Sequence, residues 1–116
     1  MSILTIAELA LWQSADFPFT LLDVRRAQKR CVEGDKIAGG RWPDPALWLD
    51  WKDEFVASPR PVVLYCAHGH EISQGLAAVL RAMGTDARNL AGGIEAWRGA
   101  GHAVARLGQG VSPQRS

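Results

Sequence analysis

The chain is short of cysteine, with only Cys31 and Cys66, too few for a thiolate zinc framework or a disulfide scaffold. It also lacks any apolar run near the roughly 20 residues a membrane helix needs. Met1 to Glu8 has neither the basic start nor the apolar stretch of a secretory signal. Charge of one sign is missing too. A net +1 gives no general attraction to nucleic acid or anionic membrane, so neither is an expected partner. A cytoplasmic protein, a monomer by default, is the expectation. What is present is ordinary for a globular domain: 47% apolar and 22% charged residues in a length that holds one core.

Along the chain, Thr5-Ile6-Ala7-Glu8 has the pattern of a capping box opening a short helix that Phe17-Pro18 closes. Thr20 to Val24 is an apolar run without alternation, which suits a strand covered on both faces. From Arg25 to Pro45 the glycines and Pro43 predict a loop. Asp44-Pro45 reads as an N-cap with proline at the first helical position, leading a helix that shows Leu47, Trp48, Trp51 and Phe55 at helical spacing. Val62 to Tyr65 is a second buried-strand pattern. Cys66 stands at its end, and Ala67 to Ile72 are loop-like. Ser73 is placed to cap a helix carrying Leu76, Val79, Leu80 and Met83, with Gly84 as its stop. Ala87 to Leu90 predicts a third strand, Ala91-Gly92-Gly93 a tight turn, and Ile94 to Arg98 a last short helix. Strands alternating with helices imply an α/β domain over residues 1–106, with a mostly parallel sheet and helices on both faces. Residues 107–116 read as a flexible tail.

Sheets of this kind bind ligands beyond the carboxyl ends of their strands, where Cys66 falls. A cysteine between a strand end and a helix start meets unpaired amides and the positive end of the helix dipole. Both favour the thiolate. Gly69 lets the backbone curl around the sulfur. The competing reading makes Cys66 a small buried hydrophobe.

Three blocks resemble the rhodanese homology domain: Leu21-Leu22-Asp23-Val24-Arg25, Tyr65-Cys66-Ala67-His68-Gly69, and Asn89-Leu90-Ala91-Gly92-Gly93-Ile94-Glu95-Ala96-Trp97. They occur in that family's order and spacing. The resemblance implies a sulfurtransferase that uses no cofactor. Cys66 is its nucleophile and becomes a persulfide fed by a small sulfur donor or a persulfide-carrying protein, and the sulfur passes to a thiol or other thiophilic acceptor. It implies a substrate-binding cradle from the amides of Ala67, His68, Gly69, His70, Glu71 and Ile72, with Ser73 also counted among the substrate-binding residues. Arg25 is either a residue of the site rim or a structural ion-pair partner.

The sequence departs from the family in two ways. Seven residues, Cys66 to Ile72, precede Ser73 where common single-domain members have six. A longer loop resembles that of related phosphatases and arsenate reductases, but Ile72 occupies the place of their anion-gripping arginine. Oxyanion handling is thus a lesser alternative. Glu71 puts a carboxylate where many thiosulfate-using relatives carry a base, so thiosulfate is expected to be a poor donor. His68 and His70 are expected to aid the thiolate or steer an anion if protonated, and no metal site is expected from Cys66 and these two. Cys31 is read as a bystander thiol rather than a resolving cysteine. A non-catalytic, redox-sensing or docking module is the main alternative function, with Trp42, Trp48 and Trp51 as a docking surface if exposed.

Overall fold

The computed structural model describes residues 2–56, 58–69 and 72–107, together with the backbone alone of Glu71. The expected tail from 108 to 116 therefore lies outside the described residues, as does His70. Leu107 is still tied in, its N–H donating to the Gly34 carbonyl at 2.9 Å.

The elements run β1 (Ile3–Leu4), α1 (Ile6–Ser14), β2 (Thr20–Asp23), α2 (Ala27–Glu33), β3 (Asp35–Lys36), a 3-10 turn (Pro45–Leu47), α3 (Trp48–Val56), β4 (Val62–Tyr65), α4 (Glu71–Ala82), β5 (Ala87–Leu90), α5 (Gly93–Gly99) and β6 (Ala105–Arg106). The central sheet has the order β1-β5-β4-β2 and every pair in it is parallel. β3 and β6 form a separate antiparallel pair.

Burial on both faces explains the unbroken apolar runs. Successive residues of β4 point to opposite sides. Val63 and Tyr65 join Leu9, Ile94 and Trp97 in the layer under α1 and α5. Val62, Leu64 and Cys66 join Phe55, Ala77 and Leu80 under α3 and α4. The sheet thus has helices on both faces, as the alternation of elements predicts. The capping box forms, Thr5 N–H to Glu8 Oε1 at 2.9 Å and Glu8 N–H to Thr5 Oγ1 at 3.1 Å. Asp44 caps the 3-10 turn through the Ala46 N–H at 3.0 Å. No helix of the described residues is long and apolar enough to cross a membrane.

Two sequence expectations need correction. The stretch from Arg25 to Pro45 is not all loop, since it holds α2 and β3. α2 buries none of its residues and so has no apolar stripe to read. Charge holds it instead: Arg30 meets Asp23 at 3.0 Å, and Glu33 meets Arg25 at 2.7 Å and Lys29 at 3.7 Å. The second correction concerns Ser73. α4 begins at Glu71, so Ser73 lies in its first turn rather than capping it, and its hydroxyl turns inward.

Candidate active site

β4 delivers Cys66 to the carboxyl edge of the sheet, 8% exposed. The loop after it is seated on α5. Ile94 N–H donates to the Cys66 carbonyl and Glu95 N–H to the Ala67 carbonyl, both at 3.0 Å. There is no cis peptide among the described residues, so each carbonyl facing α5 sends the next residue's N–H the other way. The amides of Ala67 and His68 are therefore directed away from α5, as an anion cradle requires.

Two glycines allow this seating. Gly69 has φ +75°, and a Cβ there would lie 2.6 Å from the Gly92 nitrogen. At Gly93 (φ +62°) a Cβ would strike the Cys66 carbonyl oxygen. Both positions demand glycine for conformation and for space.

Behind the sulfur runs a buried polar chain. Cys66 Sγ lies 3.2 Å from Ser73 Oγ, and the Ser73 hydroxyl donates to Asn89 Oδ1. Asn89 Nδ2 donates to the Gly69 carbonyl at 3.2 Å, which also accepts from Gln74 Nε2 at 2.8 Å. The network joins β4, the loop, α4 and β5, so position of the sulfur and shape of the loop are coupled. Asn89 and Gln74 did not stand out in the sequence. The signal that could have found Asn89 is a polar amide at a buried position of a short strand, because a buried amide needs partners.

In front of the sulfur is a cavity of 370 Å3 lined by Arg25, Arg26, Lys29, Cys66, Ala67, His68 and Ile72. His68 Nδ1 is 3.0 Å from Glu95 Oε2 on the exposed rim. Arg26, the N-cap of α2, and Lys29 within it bring positive charge from an element the sequence had not revealed. Cys31, exposed on the same helix, lines a different cavity with Arg30 and Trp42.

Arg25 borders the Cys66 cavity, yet it is 1% exposed and its guanidinium is committed elsewhere. Asp23 takes Nε at 3.0 Å and Nη2 at 2.8 Å, and Glu33 takes Nη1 at 2.7 Å. Burial works to lower its pKa, but the hydrogen bonds and charge of Asp23, then Glu33, leave it raised. Burial likewise pushes the neighbouring Tyr65 phenol up, helped by the Asp23 charge, so it stays neutral. The Tyr65 oxygen accepts the Ile37 N–H at 3.1 Å. Arg98 closes the cluster by gripping Asp35 at 2.7 and 2.6 Å, which holds that carboxyl below its usual range. Of the two roles open to Arg25, the geometry is that of the ion-pair partner. The three tryptophans of the middle segment are half-buried; Trp42 and Trp51 donate to the Arg25 and Asp44 carbonyls at 2.8 and 2.7 Å.

The family model of the rhodanese-like domain matches residues 5–100. The chain belongs to that family. The rhodanese-like fold is shared with a rhodanese-like domain protein from Staphylococcus aureus, 26% identical with TM-score 0.73, covering 84% of this chain and 91% of that one. A rhodanese-related protein from Thermoplasma volcanium gives 24% identity and TM-score 0.74, over 90% of this chain and 98% of the other. A thiosulfate sulfurtransferase from Pseudomonas aeruginosa is 22% identical with TM-score 0.72; it covers 90% of this chain, which spans only 19% of that enzyme. No curated protein matches the sequence. Membership of the rhodanese-like family is consistent with sulfurtransferase chemistry.

Proposed function

We propose that the protein is a sulfurtransferase that carries a sulfane sulfur as a persulfide on Cys66. The observation that supports this most is a buried cysteine at a strand end. Its loop carbonyls are turned onto α5, and a cavity with two cationic side chains lies in front of it. A thiolate at Cys66 attacks the outer sulfur of a donor; the donor's S–S bond breaks and its remainder leaves with the electron pair. The terminal sulfur then sits among the Ala67 and His68 amides, with Arg26 and Lys29 offsetting its charge. Arg25 acts from behind by fixing the chain that leads from β2 into α2.

An organic persulfide is the preferred donor over thiosulfate. Glu71 adds a negative charge to the sequence that follows Cys66, and like charge disfavours a dianion. Arg26 and Lys29 work in the other direction, so the ratio of the two rates is the test. Turnover is followed as sulfur appearing on a thiol acceptor, with each donor in turn. Activity that vanishes in Cys66→Ala supports the reading; a thiosulfate rate equal to the persulfide rate overturns the donor preference. Wild type without turnover from either donor would leave a sensing or docking module as the better account.

A further inference from the structure

We propose that the apolar groove beside Cys66 receives the body of a small organic thiol, the acceptor of the persulfide sulfur, and that Gly75 keeps this groove open. The assignment rests on the persulfide reading of Cys66 and adds the place where its thiol acceptor binds.

The groove is a cavity of 760 Å3 between the start of α3 and the outer side of α4. Pro45 and Trp48 form one wall, Ile72 and Leu76 the other. Arg26 and Ile72 line both this groove and the smaller Cys66 cavity, so the two adjoin at these side chains. The larger volume is in the range that organic ligands fill, and its walls are mainly apolar with a cation at the inner end.

Gly75 sits inside a helix of 12 residues, where glycine lowers helix stability relative to alanine. Packing does not require it: a Cβ there would meet nothing within 4 Å, and its φ is not positive. Its missing side chain contributes open groove, which is a reason for glycine that neither strain nor close contact supplies.

Charge selects the sulfur end of the ligand. The acceptor thiolate RS⁻ attacks the outer sulfur of Cys66–S–S⁻. A new RS–S bond forms, the old S–S bond breaks with its electron pair returning to Cys66 Sγ, and RS–S⁻ leaves. Two negative charges enter and two remain, so there is no net oxidation. The thiol proton goes to solvent before attack. Bringing two anions together is unfavourable without nearby cations, and Arg26 and Lys29 line the cavity where they would meet.

The experiment loads Cys66 with sulfur and follows its loss by intact mass in single turnover. Mercaptohexanol and mercaptoethanol are the acceptors, sharing a thiol and a hydroxyl but differing in apolar length. Wild type should favour mercaptohexanol by ~10-fold or more, from its extra buried methylenes. Gly75→Leu should remove most of that preference, slowing mercaptohexanol far more than mercaptoethanol. Gly75→Ala controls for folding: it should have a thermal midpoint at or above wild type and keep most of the preference. Equal rates for the two thiols in wild type, or equal slowing of both by Gly75→Leu, would overturn the assignment and point to another occupant, such as an apolar side chain of a partner protein. Failure of wild type to load sulfur at all would instead overturn the persulfide reading, and this inference with it.

Discussion

Replacing Arg25 with methionine tests whether this arginine holds the fold or the substrate. In the native chain its side chain is sealed from solvent, and the Asp23 carboxylate beside it is 2% exposed. Methionine fills similar apolar volume but removes the partner that takes both carboxylate oxygens. Arg30 Nε, at 3.0 Å, and the backbone N–H of residue 25, at 3.1 Å, would still face Asp23. Breaking a buried pair from one side costs about 3–5 kcal/mol, most of it the uncompensated charge left behind. For a chain of this size each kcal/mol shifts the thermal midpoint by about 4 °C, so a fall of about 12–20 °C is expected. Removing the orphaned charge as well, in Asp23→Asn with Arg25→Met, should recover part of that loss. Thermal denaturation reads the midpoints, and sulfur loading well below them reads the site. A variant with an unchanged midpoint and weakened donor uptake would refute the argument and make Arg25 a substrate-binding residue.

Other expectations follow from the same structure. Ser73→Ala removes the hydroxyl 3.2 Å from Cys66 Sγ and the donor to buried Asn89, so it should cost about 1–3 kcal/mol in chemical denaturation. It should also slow sulfur loading about tenfold; unchanged loading would exclude Ser73 from the chemistry. Gly69→Ala should destabilise by about 1–3 kcal/mol through its left-handed backbone and the close Gly92 nitrogen; a neutral effect in thermal unfolding would contradict the loop geometry. The Asp35 carboxyl has a lowered folded pKa because of Arg98, so the pair's stabilisation is complete above the usual carboxylate range and lost as pH falls through the lowered value. Arg98→Ala should therefore lower stability by about 1 kcal/mol at neutral pH and by little in acid; an equal loss at both would refute this linkage. Cys31→Ser should leave sulfur loading unchanged when assayed by mass, since Cys31 lines a separate cavity.

Much of this architecture was legible because it rests on local signals. The Thr5–Glu8 box, the Asp44-Pro45 start and the two-sided apolar runs of β2 and β4 each carry their cause in neighbouring residues. The position of Cys66 followed from the end of such a run. α2 was not legible, because Ala27 to Glu33 buries nothing and is held by charges whose partners, Asp23 and Arg25, precede it in the chain. Missing α2 meant missing Arg26 and Lys29 as the positive wall of the cavity. Ser73 looked like a cap because serine favours that place, but its tertiary partners Cys66 and Asn89 draw it into the first turn. Arg25 had two readings that only its partners could separate.

The central claim is that Cys66 carries sulfur, and intact-protein mass tests it most directly. Wild type and Cys66→Ala are each incubated with a small organic persulfide, and separately with thiosulfate, then weighed. The account predicts a gain of about 32 Da on wild type, larger in extent from the persulfide, and none on Cys66→Ala. No gain on wild type from either donor, or an equal gain on Cys66→Ala, would contradict it.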